Sequence, residues 1–113
     1  MNLARTARTG PYCQVLWDGR TVEAWADELA GSAVVNLAGE IVDRRPTPAN
    51  VDLLTSSRVE PTSALVQAMA SQLEPVPVFV QASTLAIYGD AGELVLDETS
   101  PVADGPPQLA GVA

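Results

Sequence analysis

The sequence predicts an α/β fold built on a parallel sheet, and three observations predict it. Two apolar runs, residues 33–37 (Ala-Val-Val-Asn-Leu) and 78–82 (Val-Phe-Val-Gln-Ala), contain β-branched residues without strict alternation. A strand reads this way when both faces of its sheet are covered. Between them, Val51, Leu54, Arg58, Thr62, Leu65, Val66, Met69 and Leu73 keep a helical spacing, one face of a 3.6-residue period. Strand, long helix, strand is too long for a hairpin. It implies parallel strands joined by a right-handed crossover.

Taken in order, residues 1–13 carry no periodicity and are expected to be irregular. Residues 14–17 (Gln-Val-Leu-Trp) predict a short strand, closed by the turn signal Asp18-Gly19-Arg20. Thr21 is the expected N-cap of a short amphipathic helix, with Glu23 in its first turn. Val22, Trp25, Ala26 and Leu29 form its apolar face, and Gly31 stands where a helix C′ residue belongs. The long helix starts at Pro48, a favoured first helical residue, and Pro61 predicts a kink or two abutting helices. After residue 82 the sequence predicts a turn, a short polar extension around residues 93–96 and a Pro/Gly/Ala-rich tail without a core face.

Composition bounds the function. The chain has 113 residues, one domain or part of one, and 47% of them are hydrophobic, enough for a packed core. Fourteen acids face six bases, all arginine, for a formal net charge of −8. Such a surface repels phosphate backbones, so nucleic acid is not an expected partner. No apolar run is long enough to span a bilayer and the N-terminus lacks a secretory apolar region, so no membrane is expected and the expected location is cytoplasmic. There is no histidine and no lysine. The commonest general base and metal ligand is therefore missing, and no metal site is expected. The acidic residues Asp90, Glu93, Asp97 and Glu98 lack calcium-loop spacing. Cys13 has no partner for a disulfide or a thiol–imidazole pair. Arg44 and Arg45 read as a solvated loop, and Trp17 and Trp25 as core anchors.

The two strand ends carry the functional signal. Parallel strands bring their carboxyl ends to one sheet edge, where open α/β sheets bind ligands. Asn36-Leu37-Ala38-Gly39 ends one strand and Ala82-Ser83-Thr84 the other. Small residues there admit a planar ring or ribose, and the hydroxyls of Ser83, Thr84 and Tyr88 suit a substrate oxygen. The residues alone leave a second reading open: Gly39 as a plain turn, with Ser83 and Thr84 capping the next segment.

The stretches "VVNLAGE", "SRVEPTSALVQAM", "VPVFVQASTLAIYGDAGE" and "LDETSP" occur in that order. In this the chain resembles the extended, epimerase-like short-chain dehydrogenases/reductases, most of all their atypical NAD-dependent epimerase/dehydratase-like branch. The resemblance implies a Rossmann-type parallel sheet with flanking helices, and NAD or NADP as cofactor. It implies chemistry on a sugar-nucleotide-like or other hydroxyl substrate. Leu37, Ala38 and Gly39 match the loop that lies along the dinucleotide, and Arg58 the helix approaching the nicotinamide side. Thr84 matches the catalytic Ser/Thr, Ser83 and Tyr88 line its pocket, and residues 98–101 match an acidic motif that follows.

The sequence also departs from that pattern. No G-x-x-G-x-x-G turn is present, and with no lysine there is no Tyr-x-x-x-Lys pair. Residues 1–113 are thus expected to be one partial NAD(P)-binding domain. The first βαβ unit, with its glycine-rich loop, and the C-terminal substrate part are expected to be missing. A non-catalytic remnant or protein-interaction subunit is the alternative. A sheet stripped of its first strands exposes an edge. The expectation is a marginal or aggregation-prone chain unless a homodimer or partner covers that edge.

Overall fold

The computed structural model describes residues 1–103. Its elements are β1 (Asn2–Ala4), β2 (Gln14–Leu16), a 3-10 helix at Ala24–Leu29, β3 (Ala33–Asn36), α1 (Pro48–Ala70), β4 (Val78–Gln81) and a 3-10 helix at Leu85–Tyr88. The strands form two separate two-stranded parallel sheets, β1 with β2 and β3 with β4. Val34 pairs with Phe79 and Asn36 with Gln81, so the parallel strand–helix–strand unit predicted from the sequence is present.

Several sequence expectations are corrected. Residues 1–13 are not wholly irregular, because Asn2–Ala4 pair in register with Gln14–Leu16. Three residues are too few to show a period, so the strand left no signal. The predicted amphipathic helix is a six-residue 3-10 helix. It starts late because Thr21 is already engaged: its hydroxyl and amide both donate to the Asp18 carboxylate, at 2.6 and 2.7 Å. Trp25, Ala26 and Leu29 are buried as expected, whereas Val22 is exposed. Gly31 sits at φ 64°, the left-handed turn a glycine permits. Residues 93–96 form no regular extension, and the Pro/Gly/Ala-rich tail falls largely on residues 104–113, outside the described residues.

α1 runs unbroken through Pro61, as one helix. Thr47 caps it, its hydroxyl accepting from the Asn50 amide at 3.2 Å. Its inward face consists of Leu54, Pro61, Ala64, Leu65 and Ala68, while Leu73 is fully exposed and Val66 half exposed. The alanines at 64 and 68, one turn apart, let the helix sit close to its neighbours. Trp25, Ala26, Leu29, Val34, Ala64, Leu65 and Ala68 make up one core, flanked by Trp17. Trp17 meets Trp25 edge-to-face at 5.1 Å between ring centroids, and the Trp25 indole N–H donates to the Thr21 carbonyl at 3.0 Å.

The expectation that both faces of the β3–β4 sheet are covered is also overturned. Val34 and Asn36 are buried toward α1, but Val35, Val78 and Val80 are about half exposed. None of these three valines of the second face is buried.

Asp18 organises the turn that enters the core. Hydrogen bonds from the Thr21 hydroxyl, the Thr21 amide and the Arg20 amide lower its pKa to about 2. A carboxylate lowered in this way contributes above its ordinary pKa and loses that contribution as pH falls through the folded value. The Arg20 and Thr21 amide resonances are therefore expected to titrate with a midpoint near 2. A midpoint at the ordinary 3.8 would show that the carboxylate is not held by these donors.

Candidate functional site

The carboxyl ends of β3 and β4 enclose a cavity of about 390 Å3. Leu37, Ala38, Gly39 and Val42 form one wall, Arg58, Val59, Thr62 and Ser63 of α1 the floor, and residues 81–84 the other wall. Six of the seven residues singled out from the sequence (Leu37, Ala38, Gly39, Arg58, Ser83 and Thr84) are thus brought to one place. Tyr88 is not. It lies one 3-10 turn further on, and its hydroxyl donates to the Asp97 carbonyl at 3.2 Å.

Asn36 fixes the junction of the two strands. It is 3% exposed, yet both polar atoms of its side chain have partners. Its Nδ2 donates to Thr62 Oγ1 at 3.1 Å and to Gln81 Oε1 at 2.8 Å, while its Oδ1 accepts from the Ala38 amide at 3.1 Å. One side chain thereby ties β3 to β4, to α1 and to the first turn of the loop. The sequence contained a signal for this role: a lone amide side chain inside an apolar run must find partners where it is buried.

Residues 37–42 are pinned to α1 through Glu40. Its amide donates to Ser57 Oγ at 3.0 Å, and its carbonyl accepts from Arg58 Nη2 at 3.1 Å. Arg58 Nη1 donates to the Leu54 carbonyl and to Ser57 Oγ, at 3.1 and 3.2 Å. Arg58 is therefore committed to shaping the loop. Gly39 follows from it, because an added Cβ would lie 3.0 Å from the Arg58 guanidinium carbon. The missing side chain makes room for arginine from below, in addition to clearing the cavity wall.

Glu40 does not line the cavity. Its carboxylate instead bridges Arg5 and Arg44, each at 3.3 Å. The hydrogen bond from Arg5 is the main cause holding its pKa below the ordinary value.

Thr84 combines a capping bond with a place on the cavity wall. Its Oγ1 accepts from the Ala86 amide at 3.2 Å, capping the 3-10 helix that follows, and it also lines the cavity. The cap uses an oxygen lone pair and leaves the O–H free to donate. Ser83 stands beside it. No group of three or more metal-ligating side chains occurs among the described residues. No helix among them is long and apolar enough to cross a membrane.

The family model for the NAD dependent epimerase/dehydratase family matches residues 3–108, most of the chain. The chain belongs to that family. Its partial α/β architecture, with parallel strands and the small-residue loop at their carboxyl ends, is the Rossmann-like fold of the epimerase/dehydratase family. Family membership makes it an NAD-dependent, epimerase-like oxidoreductase at the level of the family. No curated protein and no solved structure matches it.

Proposed function

We propose that the cavity between residues 37–42 and 81–84 takes the nicotinamide–ribose end of NAD or NADP, together with a small hydroxyl-bearing substrate of the sugar-nucleotide kind. The observation that carries this is that Ser83 and Thr84, two hydroxyl residues, line the same space of about 390 Å3 as Leu37, Ala38 and Gly39. That volume is near the lower end of the range for small-ligand cavities, about 300–1,000 Å3. It suits half a dinucleotide better than a whole one. Arg58 is the one cation among the lining residues, and its hydrogen bonds run inward. The fit is therefore to the uncharged ring and ribose, not to the pyrophosphate.

A bound nicotinamide supplies hydride exchange. Thr84, with its oxygen fixed by the Ala86 amide, donates its O–H to the substrate oxygen, and Ser83 orients the same atom. Arg58 and Asn36 hold the opposing wall. No carboxylate, phenol or amine is among the residues lining the cavity. These residues bind and orient, and slow turnover by the chain alone is part of the proposal. A second reading, a chain that acts through protein contacts, is favoured by its open strand edges.

Titration with NADH and NADPH, followed by cofactor fluorescence, tests the proposal. Saturable binding with Kd below about 1 mM, some 4 kcal/mol, is expected. Gly39→Ala, which forces the Arg58 head group and the loop apart, is expected to weaken it about tenfold, equivalent to about 1.4 kcal/mol. Thr84→Ser keeps the cap and is expected to bind like the parent. Binding indifferent to Gly39→Ala, or no binding by the folded chain, would overturn the assignment.

A further inference from the structure

Two backbone groups dictate how the Gln81 side chain is turned. The Ala38 amide donates to Asn36 Oδ1 at 3.1 Å, and a backbone N–H can only donate. Asn36 therefore presents its nitrogen to Gln81, where Nδ2 donates to Oε1 at 2.8 Å. Thr62 Oγ1 stands 3.3 Å from the same oxygen. At the other end, Gln81 Nε2 donates to the Ala82 carbonyl at 2.9 Å, and a carbonyl can only accept. The direction of this chain of bonds is thus set from both ends. A Gln81 amide turned the other way would set nitrogen against nitrogen and oxygen against oxygen.

The arrangement leaves one donor over. A primary amide nitrogen carries two hydrogens, and the second hydrogen on Gln81 Nε2 has no partner among the described residues. Gln81 is exposed and lines the cavity, as does Ala82, to which its nitrogen is tied. The hydroxyls of Thr62, Ser63, Ser83 and Thr84 on the same cavity lining both donate and accept. Arg58 only donates, but its guanidinium is turned to the Leu54 and Glu40 carbonyls. With its oxygen engaged, Gln81 offers the cavity a donor and no acceptor.

We propose that Gln81 is a specificity-determining residue whose remaining Nε2 hydrogen donates to the carboxamide oxygen of the nicotinamide. The inference rests on the reading of this cavity as the nicotinamide–ribose end of the site. Within that end the ribose hydroxyls donate as well as accept, whereas the carboxamide oxygen only accepts. A donor held so that it cannot turn round selects an acceptor that cannot donate. Both groups are neutral, so the contact places no charge in the cavity. Asn36 and Thr62 act through Gln81, as positioning residues that hold its oxygen.

The test is competition against bound NADH, followed by cofactor fluorescence, with two reduced analogues. The 3-acetylpyridine analogue keeps the ring's carbonyl oxygen and loses its NH2; the thionicotinamide analogue keeps the NH2 and replaces oxygen with sulfur, a weaker acceptor. The parent chain is expected to bind the acetylpyridine analogue like NADH and the thio analogue about three- to tenfold more weakly. Gln81→Glu keeps an oxygen for Asn36 and Thr62 while replacing the free donor with an acceptor. In that variant the preference for oxygen over sulfur is expected to vanish. The acetylpyridine analogue becomes the weakest of the three, because it alone lacks an NH2 to give the carboxylate. A merely structural role for Gln81 would weaken all three ligands alike. Equal binding of the three by the parent chain, with NADH still weakened by Gly39→Ala, would overturn the role of Gln81 and leave the cavity reading standing. An unchanged order in folded Gln81→Glu would do the same. No binding of NADH by the folded parent chain would overturn both. The parent comparison decides the matter even where the variant does not fold.

Discussion

Leu65→Ala is expected to lower the unfolding free energy by about 2–5 kcal/mol, the usual cost of a cavity in a core that only partly collapses. Leu65 is 3% exposed and packs among Trp25, Leu29 and Val34, with Ala64 and Ala68 on its own helix. Those neighbours are few, and two are alanines already at their smallest, so little side chain is available to refill the space. Domains of ordinary stability have about 5–15 kcal/mol in hand, and a chain with bare strand edges sits at the low end. Urea unfolding followed by tryptophan fluorescence measures the loss. Leu73→Ala is the control: Leu73 shares the sequence periodicity but is fully exposed, so its change is expected within about 0.5 kcal/mol. Equal losses for the two variants would mean that the helix face is wrongly assigned.

The second large effect is expected at Asn36. Asn36→Ala removes the donor to Thr62 and Gln81 and the acceptor of the Ala38 amide in one step. Leaving buried polar groups without partners costs about 1–3 kcal/mol each. Thr62 keeps its bonds to the Arg58 carbonyl, at 2.8 Å, and to Gln81, at 3.3 Å. The deficit therefore falls mainly on the Ala38 amide at the cavity wall. A double-mutant cycle of Asn36→Ala with Gln81→Ala is expected to show coupling of about 1 kcal/mol. Simple additivity would contradict the network.

The sequence made the central unit legible because its signals are long. Twenty-three residues of α1 hold several turns of periodicity, and two β-branched runs flank it. The strand ends were legible for a different reason, since Gly39, Ser83 and Thr84 interrupt apolar runs abruptly. What escaped has physical causes. β1 is three residues long, too short for any pattern. The shift of the first helix to Ala24 was hidden because Asp18 and Thr21 satisfy each other in a turn. Leu73 was misplaced on the apolar face because α1 stops at Ala70, before the period reaches it.

Six of the residues singled out at the strand ends share one cavity, but what holds them there was not read. Arg58 was singled out for a ligand, whereas its guanidinium holds the Glu40 carbonyl and sets the need for glycine at position 39. Such a link between residues 40 and 58 is not encoded in local spacing. It exists only once α1 lies under the loop. The uncovered face of β3–β4 has the same origin: apolar composition indicates that a surface tends to be buried, but not which segment buries it.

The central claim is that the carboxyl ends of β3 and β4 form the nicotinamide end of a dinucleotide site. Amide chemical-shift mapping with NADH tests it most directly. The account predicts shifts concentrated at Ala38, Gly39, Val59, Ser83 and Thr84, with Leu3 and the second face of the β3–β4 sheet unmoved. Shifts centred on Leu3, β2 and the second face of the β3–β4 sheet, or none at saturating NADH with the fold intact, would contradict it.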